Sequence, residues 1–390
     1  MLTLATFEAL LEPCGQEALA AAEVRQPSEA TLLSDLAALC GTFGAPLATA
    51  AVETVLLRMR AATKFSRADA MYFTRDALEQ ATSEVVARHR AQRYAGTDHI
   101  WDLCCGIGGD LLQLAAETSS VSALDYDPLR LRMAECNAEV YGLRERIHFE
   151  EQDIVAWKPP PHATIFFDPG RRHSGRRIHR PDFYQPPLSI VERWLPHADG
   201  IGVKTAPGID YEALPAKPDE VEVISLRGEV KEAVLWFGRL AHGGRRATLL
   251  PSGATLVGST APPIPVMEPQ AYLYEPDGAV IRAHLVEQLA VELGATKIDE
   301  DIAFLTTPER VETSFARAFQ VDELMPFNLK RLRQWLRERR IGQVVVKKRG
   351  SPIDPQALER QLRLQGDRSA VLILTHVMGR PSVVVCDVAG

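Results

Sequence analysis

A chain of 390 residues is long for a single hydrophobic core and predicts two or three domains. Its 46% hydrophobic and 24% charged residues are those of a soluble globular protein, which excludes a disordered or fibrous one. The formal net charge of −7 excludes nucleic-acid binding through the overall field and leaves only a local basic surface for such a role.

The N-terminus lacks a basic region followed by an apolar run, so no signal peptide is expected. No stretch approaches the length of a membrane span. Cys14, Cys40, Cys104, Cys105, Cys136 and Cys386 form no C-x-x-C pair and no zinc-ligand spacing. Together these features predict a cytoplasmic protein that contacts no membrane and binds no metal.

Residues 1–93 carry helical periodicity and alanine-rich helix formers without a strand signal, and are expected to form an N-terminal helical domain. Pro13-Cys14-Gly15, Gln26-Pro27-Ser28 and Gly41 to Pro46 should divide it into short helices. Thr74 is placed to cap a helix from Arg75 to Arg90, with Arg88, Arg90 and Arg93 on its exposed side.

Residues 94–242 read as alternating strands and helices. WDLCCGIGGDLLQLA, Trp101 to Ala115, is a buried strand, a glycine-rich turn and the start of a helix. Gly106, Gly108 and Gly109 allow a tight bend and close approach of the backbone to a ligand. The strand Val121 to Asp125 ends in an acid about 20 residues beyond the start of the turn, where a carboxylate can accept hydrogen bonds from a ribose diol. Pro128 opens a helix to about Tyr141, a strand follows near Arg146 to Phe149, and Asp153-Ile154 come next. The strand Thr164 to Phe167 stops at Asp168-Pro169-Gly170, and Ile201 to Lys204 forms another. Glu220 to Leu226 and Ala233 to Phe237 suggest a closing hairpin. The order implies an α/β fold with a parallel, doubly wound sheet and ligands at the carboxyl ends of its strands. A dinucleotide site fits less well, because the G-x-G-x-x-G spacing is absent and Asp168-Pro169 would have no role in it.

This arrangement resembles a Rossmann-like class I S-adenosylmethionine-dependent methyltransferase. DLCCGIGGDLLQLA (102–115), ALDYDP (123–128) and NAEVYGLRERIHFEEQDI (137–154) are similar to the trimethylguanosine synthase family of RNA cap guanine methyltransferases, over roughly Phe73 to Pro169. The resemblance implies S-adenosylmethionine as cofactor. Asp102 would help hold its methionine end, Cys104, Gly106 and Gly108 would lie against it, and Asp125 with Tyr126 would meet the ribose. Asp153 and Ile154 would border the adenine, and Phe73 and Thr74 would reach the cofactor from before the sheet. Thr74 serves equally as a plain helix cap and Phe73 as a core aromatic. Asp168 and Pro169 would line the place where the methyl group moves. The chain departs from the family there: a second proline, a tryptophan and glycines are replaced by Gly170-Arg171-Arg172.

Arg171, Arg172, Arg176, Arg177 and Arg180, with His173 and His179, crowd the loop after Asp168. Guanidinium forks suit phosphate oxygens, so this loop is expected to grip an RNA substrate, with internal pairing to acids as the plainer reading. Lys204 is expected either to face the same cleft or to be a plain surface lysine. Tyr184 would stack on a base or simply pack.

Residues 243–309, rich in Gly, Pro, Ser and Thr at first, read as a connecting region with short strands. In 310–390 a basic amphipathic helix LKRLRQWLRERR should end at Gly342, followed by the strand QVVVKKRG, a helix from Pro355 to Leu364 and two apolar strands. That order resembles the α+β THUMP-like domain attached to bacterial methyltransferases, a relation that implies RNA. The expected function is methylation of a base, a guanine nitrogen first among candidates, in tRNA or rRNA. A non-catalytic module binding cofactor and RNA, and a small-molecule methyltransferase, are the alternatives. The sequence does not specify an oligomeric partner.

Overall fold

The computed structural model describes residues 2–171, 181, 184–258 and 261–387, with Arg171 described by its backbone alone. The chain divides into two compact units, residues 1–220 with 233–243, and residues 221–232 with 244–390. Among the described residues no helix is long and apolar enough to cross a membrane.

The first unit opens with helices α1 (Leu4–Leu11), α2 (Pro13–Arg25), α3 (Leu32–Phe43) and α4 (Ala45–Ala61). The expected breaks shift by a few residues. Pro13 occupies the first turn of α2, where its missing N–H costs nothing, so the break falls at Glu12. Helix α3 runs through Gly41 and stops at Gly44.

The single helix expected from Arg75 to Arg90 is two: α5 (Arg75–Gln80), capped by Thr74, and α6 (Glu84–Ala91). Tertiary bonds explain the interruption. The Lys64 ammonium collects the carbonyls of Leu78, Glu79 and Ala81, while the Glu84 N–H donates to the Lys64 carbonyl. Groups that a continuous helix would use internally are thereby taken up from outside it.

A sheet follows in regular alternation: β1 (His99–Leu103), α7 (Leu111–Glu117), β2 (Ser120–Asp125), α8 (Pro128–Val140), β3 (Ile147–Glu151) and β4 (Ala163–Phe167). Helix α8 starts sharply because the Asp127 side chain accepts from the N–H groups of Leu129 and Arg130, with Pro128 at the first helical position. A two-residue ribbon joins β5 (Gly170–Arg171) to β6 (Tyr184–Gln185), and α9 (Ile190–Trp194) leads to β7 (Ala198–Thr205). The hairpin β8 (Glu220–Leu226) and β9 (Glu229–Gly238) supplies the antiparallel neighbour of β7 through its residues 233–238. Within this unit the strand order is β9-β7-β4-β1-β2-β3, with β7, β4, β1, β2 and β3 mutually parallel. This is the Rossmann-like methyltransferase sheet that the sequence predicts. Every residue of β4 is buried, as a central parallel strand covered on both faces requires.

The second unit contains β10 (Gly244–Leu250) and β11 (Ala254–Gly258), an antiparallel pair. Then come β12 (Tyr272–Pro276), α10 (Gly278–Arg282), α11 (Val286–Leu293), β13 (Thr296–Lys297), β14 (Leu305–Thr307), β15 (Ala316–Pro326), α12 (Leu329–Glu338), β16 (Ile341–Lys348), α13 (Pro355–Leu362), β17 (Arg368–Val377) and β18 (Arg380–Asp387). Seven strands form a sheet in the order β13-β14-β12-β15-β18-β17-β16. Strands β17 and β18 feed two cores by simple alternation. Leu372, Leu374, Val383 and Val385 pack with α12 and α13, and Val371, Ile373, Val384 and Cys386 pack with Phe304 and Phe319.

Helix α12 buries Leu332, Trp335 and Leu336 and leaves Lys330, Arg331 and Arg337 exposed, as are Arg339 and Arg340 just beyond it. Its end is not at Gly342, which is a residue of β16; the chain turns at Arg340, with a left-handed φ of 56°.

Candidate active site

The turn between β1 and α7 is built by three left-handed residues, Cys104 (φ 65°), Gly106 (φ 56°) and Gly108 (φ 89°). Space beside Gly106 is open: a Cβ there would meet nothing within 4 Å, so the conformation, not crowding, calls for glycine. The N–H groups of Cys104 and Cys105 both donate to the Leu124 carbonyl, at 2.8 and 3.1 Å, which ties the turn to β2. Asp125, at the end of β2, accepts from the Gly106 N–H at 2.8 Å and the Asp127 N–H at 3.0 Å. Burial nevertheless raises its carboxyl above the ordinary range.

Asp102, on β1 below the turn, is fully buried, and neither carboxylate oxygen has a hydrogen-bond partner among the described residues. Burial, reinforced by the negative charges of Asp110 and Asp168, pushes its carboxyl well above the usual range. A buried carboxylate without a donor is costly, so its surroundings favour an added cation or N–H.

Beside it lies a row of alternating charges. Lys204 on β7 donates to Asp168 at 2.5 Å, and its ammonium stands 3.6 Å from an oxygen of Asp110. Asp110 in turn is paired with Arg90 of α6 and accepts from the Thr82 hydroxyl at 3.2 Å. The Arg90 guanidinium sits over the Phe166 ring, 4.7 Å from its centre. Burial opposes ionisation of Asp110, but Arg90 and then Lys204 outweigh it and hold the carboxyl below the ordinary range. For Asp168 burial prevails over Lys204 and the carboxyl is raised. The Asp168 side chain keeps 29% exposure against 10% for Lys204 and Asp110 and 1% for Arg90. Asp168 is therefore the member of the row open to a ligand.

The remaining predicted residues fall around this centre in different ways. Pro169 is buried directly after Asp168, whose N–H donates to the Leu103 carbonyl at the end of β1. Ile154 is buried, whereas Asp153 is exposed and accepts from the Val155 N–H. Tyr126 is exposed at 66% just beyond Asp125. Phe73 is buried against Phe65, and the Thr74 hydroxyl caps α5 by accepting from the Ala77 N–H. Arg171 pairs through its backbone with Tyr184; Arg172, His173, Arg176, Arg177, His179 and Arg180 lie outside the described residues. Tyr184 does not present its ring for stacking: it is 2% exposed, and its hydroxyl accepts from the Ala206 N–H at 2.7 Å.

Sequence reasoning misplaced Arg90 and Arg93. Both were expected on an exposed helical side, yet Arg90 is buried on Asp110, and Arg93 binds Glu220 at 2.7 Å and stacks on Trp236. It also missed Asp110 and Asn137. Asp110 closes the run Gly108-Gly109-Asp110, an acid between a ligand turn and a helix, and that position was the available signal. Asn137 is wholly buried in α8; its side chain accepts from the Tyr72 N–H and donates to the carbonyls of Tyr72 and Ile107. A buried amide in the run NAEVYG is a polar residue where helical periodicity asks for an apolar one.

Three family models match parts of the chain: a domain of unknown function over residues 3–61, RNA cap guanine-N2 methyltransferase over 97–168, and THUMP domain-like over 316–388. The second match ends at Asp168. An uncharacterized S-adenosylmethionine-dependent methyltransferase of Mycobacterium tuberculosis, found in strains CDC 1551 and H37Rv, is 37% identical over 337 residues, covering 84% of this chain and 92% of the relative. A shorter likeness, 29% over 84 residues, is to the 23S rRNA (uracil(747)-C(5))-methyltransferase RlmC of Cronobacter sakazakii, covering 21% of this chain and 22% of that one. Among solved structures, a candidate methyltransferase from Porphyromonas gingivalis W83 shares the fold with a TM-score of 0.76 at 20% identity, over 96% of this chain and 99% of that one.

Proposed function

The chain belongs to the S-adenosylmethionine-dependent methyltransferases, and from that premise we propose that it methylates a base in tRNA or rRNA, with a guanine nitrogen as the target. The residues present fit the cofactor. The unpartnered carboxylate of Asp102 suits the methionine ammonium, and the open space beside Gly106, in the left-handed turn of Cys104, Gly106 and Gly108, leaves room for its chain. Asp125 and the neighbouring Tyr126 are assigned to the ribose, Asp153 and Ile154 to the adenine edge, and Phe73 and Thr74 to the side facing α5. When bound, S-adenosylmethionine supplies an electrophilic methyl group on a sulfonium.

The observation that carries the catalytic reading is the placement of Asp168 at the carboxyl end of β4, beside the turn and held by Lys204. Asp168 accepts a hydrogen bond from the attacking amine and so aims its lone pair, and Lys204 fixes the carboxylate in that pose. Asp168, or water beside it, would take up the proton that the amine loses on methylation. Pro169 stiffens the loop at this point.

RNA as substrate is supported by the THUMP-like match and by the relation of 97–168 to an RNA methyltransferase family. Arg171, Arg172, Arg176 and Arg177, which follow Asp168-Pro169 in the sequence, are assigned to phosphate. A reducing cytoplasm suits six cysteines that are all free.

The test is transfer of labelled methyl from S-adenosylmethionine to RNA from cells lacking this protein, followed by nucleoside analysis. A methylated nucleoside in tRNA or rRNA is the expected result. Labelled product that survives RNase points to a small-molecule substrate. No incorporation despite cofactor binding points to a non-catalytic module.

A further inference from the structure

The charge row described above has a direction. Lys204 lies between two carboxylates but gives the shorter bond, 2.5 Å, to Asp168 and stands 3.6 Å from Asp110. The competing carboxylate, Asp110, is already engaged by the buried guanidinium of Arg90 and by the Thr82 hydroxyl. We infer that Arg90 is a positioning residue for Asp168: by occupying Asp110 it leaves the Lys204 ammonium to the one carboxylate that is open to a ligand. The inference rests on the reading of Asp168 as part of the reacting centre.

Two carboxylates compete here for one ammonium. Without Arg90, Asp110 is a buried anion lacking its main counter-charge, and the nearest replacement is Lys204. Drawing Lys204 toward Asp110 loosens Asp168 and removes the positive charge that favours its ionised form. Without the charge of Asp110, the reverse occurs: the pull of that carboxylate on Lys204 is gone, and the positive charges of Lys204 and Arg90 favour the ionised form of Asp168. Among the described residues, Asp102 and Cys104 from β1 and the turn also interact with Asp168; burial disfavours the charged form of both, which leaves the balance to Lys204, Asp110 and Arg90.

The experiment reads the Asp168 carboxyl directly in the full chain, by carbon-13 spectroscopy of aspartate-labelled protein, with the signal assigned through its loss in D168N. Arg90→Gln is expected to move the titration midpoint of Asp168 up, and Asp110→Asn to move it down, each by roughly one pH unit, the scale for one charge within hydrogen-bonding range. A merely structural role gives a different pattern: loosening the pocket lets water in and moves the raised carboxyl down in both variants. Two downward shifts, or none, overturn the inference. If Arg90→Gln does not fold, Arg90→Lys takes its place; it keeps the charge but loses the planar fork, and is expected to give a smaller upward shift. The titration needs no substrate, so its failure and the failure of the RNA assay are separate results.

Discussion

Asn137 holds Ile107 from behind: its amide Nδ2 donates to the Ile107 carbonyl at 2.9 Å, so helix α8 grips the glycine turn between Gly106 and Gly108. The same side chain bonds both backbone groups of Tyr72, which fixes the segment entering α5 to the same point. Asn137→Leu is expected to strip three backbone groups of their side-chain partner and destabilise the chain by about 2–4 kcal/mol. It should also weaken S-adenosylmethionine binding. Thermal unfolding and calorimetry check the two effects separately; unchanged affinity with a lowered melting temperature would reduce the amide to a structural strut.

Asp102 is expected to trade stability against binding. Its raised carboxyl means that the folded chain holds a proton more tightly than the unfolded one, so this group favours folding at low pH and loses that contribution as pH rises through its folded value. Asp102→Asn carries no charge to desolvate. The variant should therefore melt higher than the parent at neutral pH, with the advantage shrinking as pH falls, while its cofactor affinity drops. Melting curves across pH with and without S-adenosylmethionine decide it, and a variant less stable at neutral pH would contradict the expectation.

For Asp125 the expected change is loss of affinity. Asp125→Ala removes the carboxylate assigned to the ribose and also frees the Gly106 and Asp127 N–H groups that it anchors. One charged hydrogen bond is worth about 1.5–3 kcal/mol, so cofactor affinity should fall at least about tenfold. Calorimetry showing unchanged affinity would remove the ribose assignment.

Replacing Arg171 and Arg172 together by Ala should spare cofactor affinity and weaken RNA binding. For every phosphate that an arginine no longer neutralises, the slope of log affinity against log salt falls by about one, so a flatter salt dependence is the signature. Filter binding at two or more salt concentrations measures it; an RNA affinity equal to that of the parent would make the loop structural.

The sheet was legible because its signals are local. Buried strands without polar interruptions, a glycine turn and an acid at a fixed distance are each written within about 25 residues of chain. Parallel neighbours in a doubly wound sheet end on the same side, which is the ground for expecting Lys204 in the cleft; its pairing with Asp168 is not written in the sequence. What escaped were the long-range pairings. Arg90 follows a helical pattern that says nothing of Asp110, which lies 20 residues later. The helix is interrupted at residues 81–83, where Lys64 takes the Ala81 carbonyl and Thr82 bonds Asp110, and Arg90 of the following α6 meets the same carboxylate. Gly342 misled for a related reason. A glycine after a basic helix reads as its terminator, but here Arg340 takes the left-handed conformation and the glycine belongs to the next strand.

The pairing of Arg90 with Asp110 has a consequence for how such a chain can be inherited. The segment before β1 is not cargo that can be swapped like a tag. It supplies the cation under the glycine turn and, through Tyr72, an anchor for α8. A recombination that grafted a foreign N-terminal region onto this sheet would deliver every strand intact and still leave Asp110 buried without its counter-charge. Residues 82–90 and the turn they serve must therefore travel together, as one heritable piece.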